Sequence, residues 1–287
     1  MKLLGIVVLY YPNEDLVDNI LSYLPFLDQL VIWDNTPKEF QKKIRIEDAI
    51  LQDKILYWGE NDNVGLGKAF NQVIDYATRE GGTHLLTMDQ DSFFVENDFA
   101  KYVDAIKGEE IAIFSPNYII QDKKLYPEQK TLLEVEYSMT SGSIYPVAIF
   151  NEIGGFRCDF FIDIIDIEFC LRAKKSGIPT KIITGVNLNH KLGYKKKKHR
   201  FLWKTISPNE YSPIRSYYMI RNSLVTKKLY PEANVWKGYL SYYFYQRIFF
   251  VVLYEKNKIE KIKNLLLGYI HGKKGMTGKQ VNDQSKF

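Results

Sequence analysis

The sequence has little cysteine, little histidine and no long apolar run. Its only cysteines are Cys158 and Cys170. Nothing beyond one disulfide is possible, and the two are not spaced like paired zinc ligands. Reduced thiols in a cytoplasmic chain are the simplest expectation. No stretch of about 18 uncharged apolar residues occurs, so a spanning helix is not expected. The apolar start, MKLLGIVVLYYPNED, is short, meets acids at once and lacks a small-residue cleavage site. It reads as a strand, not a signal peptide. The segment after that strand, YYPNEDL, has no glycines. That argues against a dehydrogenase or nucleotidyltransferase, both of which need a glycine-rich loop there. Strong net charge is also missing. The formal value is only +5, so nucleic acid is not an expected partner.

What is present is an ordinary globular composition, 46% hydrophobic and 25% charged over 287 residues. That suffices for a large core. The first half alternates between apolar runs and helical spacing. Strands are expected over 4–10, 29–33, 54–58 and 83–88, with helices over 14–24, 37–51 and 65–78. This alternation predicts an α/β fold with a Rossmann-like, mostly parallel sheet and flanking helices. In the second half, helices are expected over 97–107, 147–153 and 163–176. Strands are expected over 111–117 and 179–183, with another at 186–189 and a hairpin within 119–137. From Pro213 onward the chain reads as helical and rich in tyrosine.

In open parallel α/β sheets, ligands bind beyond the carboxyl ends of the strands. Three such ends carry polar residues: Tyr10 after the first strand, Asp34-Asn35-Thr36 after the second, and Asp89-Gln90-Asp91 after the fourth. Turns and helix caps explain any one of them equally well, but not so easily all three on one edge. Two carboxylates separated by one residue can converge on a hard cation such as Mg²⁺ or Mn²⁺, which shares its oxygen ligands with phosphates. The run Asn63-Val64-Gly65-Leu66-Gly67-Lys68 follows the third strand, where a dinucleotide fingerprint does not belong. It suits a helix N-terminus beside a diphosphate, with Lys68 adding positive charge. A second acidic cluster, Asp163, Asp166 and Glu168, lies within the apolar run FFIDIIDIEFC. If the helix begins at Asp163, Asp163 and Asp166 share a face. A carboxylate in apolar surroundings tends toward a raised pKa, which suits a general base. His190 follows a strand, where it is either structural or the completion of an Asp/His metal site.

Together, VVLYYPNEDL, VIWDNT, NDNVGLGKAFNQVIDYA, HLLTMDQDS, SGSIYP, IGGFRCDFFIDIIDIEFCLRAKKSG and LNHKLG resemble the family 2 glycosyltransferases in order and kind. They are most similar to the bacterial subgroup that uses dTDP-L-rhamnose. Galactofuranosyltransferases share a similar Asp-x-Glu-aromatic-x-Leu-Arg run and a downstream histidine. The resemblance implies a GT-A fold and an inverting, metal-assisted transfer. The resemblance covers roughly residues 3–230; with the helical reading from Pro213, a catalytic domain is expected over 1–212, with a nucleotide-sugar half at about 1–92 and an acceptor half at about 93–212. A helical extension over 213–287 follows. Asp166 matches the catalytic base. Donor contacts fall on Tyr10, Asp34, Asn63, Gly65, Lys68, Asp89 and Gln90. Acceptor contacts fall on Ser141, Gly142, Ser143, Asp163 and Glu168. Asp91 and His190, with Asp89, match the ligands of Mn²⁺ or Mg²⁺. Arg172 either holds its helix or touches substrate. Gln90 departs from the acidic form common at the middle of the Asp-x-Asp motif.

Residues 239–254, YLSYYFYQRIFFVVLY, are aromatic and apolar but interrupted by Gln246 and Arg247, which makes spanning costly. Lysines 256, 258, 261, 263, 273 and 274 follow. Such a segment suits the surface of an anionic bilayer, or equally a helical pair packed on the catalytic domain or in a homodimer. The resemblance favours the inner face of the cytoplasmic membrane and a lipid-linked glycan acceptor. The donor would be dTDP-rhamnose, or alternatively a UDP-sugar used by a galactofuranosyl- or other hexosyltransferase. A nucleotide-sugar or glycan binding module without turnover is the reading from a different class.

Overall fold

The computed structural model describes all residues except 43, 129–131, 191–198, 202–203, 207–209, 237–238 and 281–287. Side chains are also undescribed at 199, 201, 204–206 and 239–243. A basic run of the sequence, Lys195-Lys196-Lys197-Lys198-His199-Arg200, which reads as a solvated loop or a further membrane-facing patch, falls mostly outside the described residues. Two compact units are present: Met1–Arg157 with Phe169–Leu192, and Cys158–Glu168 with Gly193–Phe287.

The first unit is built on one mixed sheet. The fully buried strand β1 (Leu3–Leu9) leads to α1 (Leu16–Leu21) and a 3₁₀ turn at Leu24–Phe26 that contains Pro25. Then come β2 (Gln29–Asp34), α2 (Ala49–Asp53), β3 (Ile55–Trp58), α3 (Leu66–Arg79) and β4 (His84–Asp89). These four strands are parallel, in the order β3-β2-β1-β4. In α3, Gly67, Phe70, Val73, Ile74 and Ala77 recur at helical spacing and form its buried face.

One expected helix, 37–51, does not form. A 3₁₀ turn at Lys38–Phe40 and the short α2 replace it. Ile44 and Ile46, two apart, both reach the core from outside any helix. Asp48 then starts α2 afresh, its carboxylate accepting from the backbone N–H groups of Ile50 and Leu51.

Beyond β4 the sheet changes character. β5 (Ser92–Phe94), α4 (Asp98–Ile106), β6 (Ile113–Ile120), β7 (Lys123–Lys124), β8 (Leu132–Val135), β9 (Ser143–Pro146) and α5 (Val147–Ile153) follow. β9 lies antiparallel between β4 and β6. Of the expected hairpin, only β6–β7 forms. It turns at Gln121 and Asp122, both left-handed at φ 53° and 60°. β8 pairs instead with β10 (Thr180–His190). The two short strands expected over 179–189 are thus one strand with a break. Beside β6 its register shifts between Ile183 and Asn187, at the point where Pro116 has no N–H to give. The Asp98 carboxylate takes up the slack, accepting from the backbone and side-chain N–H groups of Asn187, each at 2.9 Å. Past the break, β10 pairs with β5.

α6 (Ile165–Lys175) starts two residues later than expected. Cys158 is exposed and Cys170 is buried. The second unit holds a short antiparallel pair, β11 (His199–Phe201) and β12 (Lys204–Ile206). It also holds α7 (Pro213–Leu229), α8 (Tyr239–Tyr254) and α9 (Lys258–Lys274). α7 is capped by the Ser212 hydroxyl, which accepts from the Arg215 N–H. α9 packs closely on α7 because Gly268 has no side chain; a Cβ there would lie 2.5 Å from the Tyr217 carbonyl oxygen.

Arg247, the interruption in the aromatic run, is buried. Both its terminal nitrogens bond Glu255, at 2.6 and 3.0 Å, and Lys261 reaches the same carboxylate at 2.9 Å. A fixed two-toothed pair of this kind keeps a guanidinium tolerable away from water. Among the described residues, no helix is long and apolar enough to cross a membrane.

Candidate active site

On the first unit, the polar residues at the strand ends form one connected edge. Tyr10 and Gln90 clamp the ends of β1 and β4 together. The Tyr10 N–H donates to Gln90 Oε1 at 2.8 Å, and Gln90 Nε2 donates to the Tyr10 carbonyl at 3.0 Å. An acid at position 90 can accept but not donate, which accounts for the amide there. At the end of β2, Asp34 Oδ1 accepts from the Thr36 N–H at 2.8 Å, and Thr36 Oγ1 accepts from the Tyr11 N–H at 2.9 Å. The buried Asn35 accepts from Trp33 Nε1 and from the Val64 N–H, tying β2 to the loop before α3. In that loop Asn63 Oδ1 accepts from the Gly65 N–H, and Lys68 pairs with Glu60 at 2.7 Å.

β5 and β10 complete the edge. Their antiparallel register sets His190 opposite Ser92, one residue past Asp91. Ligand atoms of Asp89, Asp91 and His190 all lie within 4.8 Å of one another, and each residue is half-buried. His190 Nδ1 is 3.6 Å from Asp91 Oδ1 and 2.6 Å from Ser92 Oγ. Ser92 accepts from the Ser141 hydroxyl at 2.8 Å, and Ser141 Oγ accepts from the Asp89 N–H at 3.1 Å. A buried two-serine chain thus ties the imidazole to the backbone of the first aspartate. Two carboxylates and an imidazole at this separation are a donor set that can close on one divalent cation.

Ser141, Gly142 and Ser143 sit directly beneath. Both hydroxyls are buried, and Ser143 bonds Met139 O and Ser115 Oγ, each at 2.6 Å. The Tyr118 hydroxyl donates to the Ser141 carbonyl at 3.0 Å, and burial holds that phenol well above its ordinary pKa. Gly142 is left-handed at φ 80°, and a Cβ there would stand 2.8 Å from both Leu188 and Pro116. Gly142→Ala is therefore expected to cost about 2 kcal/mol, combining backbone strain with a core clash. Thermal denaturation should show a melting temperature roughly 5 °C lower. Arg172 closes the end of α5, donating to the carbonyls of Ile153 at 2.6 Å and Gly155 at 2.8 Å.

Asp163, Asp166 and Glu168 belong to the second unit. Asp166 and Glu168 stand in the first turn of α6. Asp163 does not share their helix, contrary to the expected common face. It lies before α6 at φ 61°, with Ile164 at 65° and Phe161 at 66°. Three non-glycine residues in the left-handed region, one of them β-branched, make this a strained loop. Arg215 bonds the Asp163 carboxylate at 3.1 and 3.2 Å. Burial pushes that carboxyl above its usual range, against the pull of Arg215. Asn222, fully buried on α7, donates to the carbonyls of Phe160, Ile162 and Asp163 at 2.8–3.0 Å. Its neighbour Arg221 holds the carbonyls of Asp159 and Phe160. Glu168 is buried and accepts from the Tyr230 hydroxyl at 3.2 Å. Asp166 is half-buried, flanked in sequence by the buried Ile164, Ile165 and Ile167.

Sequence reasoning missed Ser92 and the pair Arg221-Asn222. Ser92 touches the quoted Asp-Gln-Asp run, but a serine has no signal of its own until β5 pairs with β10.

The profile of Glycosyl transferase family 2 matches residues 14–163, just over half of the chain. The chain belongs to that family. It is a glycosyltransferase, and its sequence is similar to known members over nearly its whole length. Identity is 26% to the dTDP-rhamnosyl transferase RfbF of Shigella flexneri, covering 96% of both chains. It is 21% to the low-salt glycan biosynthesis hexosyltransferase Agl10 of Haloferax volcanii, covering 96% of this chain and 92% of that one. The fold is that of GT-A glycosyltransferases. GalNAc-T7, crystallised with UDP, GalNAc and Mn²⁺, superposes with a TM-score of 0.58 at 12% identity, over 92% of this chain and 54% of its own. The chain thus spans about half the length of that structure. Staphylococcus aureus TarS 1–349 in complex with UDP-GlcNAc gives 0.55 at 15% identity, over 95% of this chain and 81% of its own.

Proposed function

We propose that this family 2 enzyme transfers L-rhamnose from dTDP-L-rhamnose to a lipid-linked surface glycan, with inversion, by single displacement. The Asp89–Asp91–His190 cluster at the carboxyl edge of the sheet carries the reading. It is supported by the similarity to a dTDP-rhamnosyl transferase. These three residues would hold Mn²⁺ or Mg²⁺, and a neighbour crystallised with UDP, GalNAc and Mn²⁺ supports a divalent cation beside a nucleotide-sugar donor. When bound, the cation would offset charge developing on the departing nucleotide diphosphate.

The remaining roles fall to the protein's own groups. Asp34 contacts the nucleobase. Tyr10, with Gln90 fixing its backbone, shapes the nucleoside site. Asn63, Gly65 and Lys68 stand at the start of α3, whose N-terminal dipole favours a diphosphate. Ser141, Gly142 and Ser143 form the floor beneath the sugar. Asp163 and Glu168 serve the acceptor side through Arg215 and Tyr230, which hold them. Asp166 takes the proton of the acceptor hydroxyl as that oxygen bonds the anomeric carbon and the bond to the diphosphate breaks. The chain works at the inner face of the cell membrane. Support comes from α8 and α9, which expose Tyr245, Phe249, Val252, Leu253, Ile259 and Leu266 beside Lys256, Lys258 and Lys263.

A UDP-hexose donor is the second reading, favoured by the UDP-GlcNAc complex of TarS and by the similarity to a hexosyltransferase. Thermal shift with Mn²⁺ separates the two. dTDP at about 100 times its Kd should raise the melting temperature by roughly 5–10 °C. A comparable shift with UDP and none with dTDP would reverse the donor assignment. Asp91→Ala should weaken Mn²⁺ binding, followed by the electron paramagnetic resonance of the free ion, by at least about tenfold, since even loss of an outer support costs that much. Unchanged Mn²⁺ affinity would remove Asp91 from the site.

A further inference from the structure

On the second unit, α7, α8 and α9 line a cavity of about 510 Å³, a size ordinary for a small-molecule site. Its apolar lining comes from Ile220 and Leu224 on α7 and Phe244 on α8. Its charged lining has one sign. Lys227 and Lys228 from the last turn of α7 meet Lys273 from the last turn of α9, and no acid is among the described lining residues. Lys228 donates to the Lys273 carbonyl. That capping bond uses one of the three N–H groups of one lysine. It does not account for Lys227, nor for Lys273, whose Nζ lies 5.7 Å from the centre of the Tyr269 ring, beside the same apolar hollow. Tyr245 and Tyr269 line the cavity and also belong to the exposed apolar face of α8 and α9. The cavity therefore opens on the surface read above as facing the bilayer.

Apolar walls with a cationic rim complement an amphiphile with an anionic head. A zwitterionic head gains less from three lysines, and inorganic phosphate leaves the apolar part unfilled. We infer that this cavity is a site for one anionic phospholipid of the bilayer, its phosphate at Lys227, Lys228 and Lys273 and part of an acyl chain against Ile220, Leu224 and Phe244. The inference rests on the membrane reading and adds to it a site of defined stoichiometry and head-group charge.

Calorimetry with the full chain and dihexanoyl phosphatidylglycerol, kept monomeric, tests it. The expected result is one-to-one binding, much weaker binding of dihexanoyl phosphatidylcholine, and none of inorganic phosphate. The triple variant Lys227→Gln, Lys228→Gln, Lys273→Gln should lose about a hundredfold in affinity, near fivefold per lysine, with an unchanged melting temperature. Lys256→Gln with Lys258→Gln, outside the cavity, should keep monomer binding while weakening sedimentation with phosphatidylglycerol vesicles. Equal affinity for the two lipids, or full affinity in the triple variant, overturns the site. Vesicle binding without monomer binding also overturns it and leaves the membrane reading standing. Loss of both removes both. Self-association that excludes the lipid assigns the face to a second copy and overturns the proposal.

Discussion

Asp166→Asn should abolish nearly all transfer while leaving donor binding intact. The amide has almost the same shape, so the first turn of α6 and the Ile167 N–H bond to the side-chain oxygen at 2.9 Å can persist. What disappears is the ability to take a proton. Positioned general bases contribute about 10²–10⁴-fold, so kcat should fall by roughly a thousandfold. Because the proposed base would act on the acceptor, dTDP affinity should not change. Measuring nucleotide release with acceptor present, beside a thermal shift with dTDP alone, separates the two effects. A variant that releases nucleotide at the wild-type rate would remove Asp166 from the chemistry. Parallel loss of dTDP binding would show instead that the substitution had damaged the donor site.

The second large effect is expected at Asn222, which has no role in the proposed chemistry. Its side-chain amide serves the Phe160, Ile162 and Asp163 carbonyls, and its oxygen accepts from Arg221 Nε at 2.8 Å. Asn222→Ala removes the donor to the Ile162 and Asp163 carbonyls and the acceptor of Arg221 Nε, at about 1–3 kcal/mol each and partly relieved by relaxation, while the Phe160 carbonyl keeps its bond from Arg221. The same loop holds three left-handed non-glycine residues, conformations that persist only when the surroundings enforce them. We expect a loss of about 4 kcal/mol and a melting temperature lower by roughly 10 °C. At temperatures where the variant is still folded, kcat should fall while dTDP affinity holds, because the loop leads directly into Asp166. An Asn222→Ala protein with wild-type stability and rate would show that the loop is held by other means. Asn222→Gln is the weaker control, since it keeps the amide but moves it by one methylene.

Much of the first unit was legible before the structure. Continuous apolar runs marked β1, β2 and β4, because strands buried on both faces need no alternation. Gly65 and the spacing from Gly67 to Ala77 marked α3. The segment 37–51 reads as helix because its apolar residues satisfy helical and extended patterns alike. Only the packing of Ile44 and Ile46 on the core, and the cap at Asp48, chose between them. The mixed second half of the sheet could not be read for a related reason. β5, β7 and β8 are two to four residues long, and strands so short are defined by their partners.

The site divides in the same way. Residue type and order along the chain determined that Asp89 and Asp91 end a buried strand, that Asp166 lies in an apolar helix start, and that His190 is a candidate ligand. These are local properties, decided by neighbours a few residues away. Tertiary structure alone decided that His190 meets the aspartates. That depends on a break in β10 where Pro116 cannot donate, on Asp98 taking up the freed N–H of Asn187, and on β5 pairing across about a hundred residues of chain. Tertiary structure also decided that Asp163 turns away from the helix of Asp166 to meet Arg215, held by an asparagine some sixty residues on. Hydrophobic periodicity reports which face of an element is buried. It carries no record of which distant carbonyl will need a donor, and here such long-range donors hold the candidate site residues and the loop before Asp166 in place.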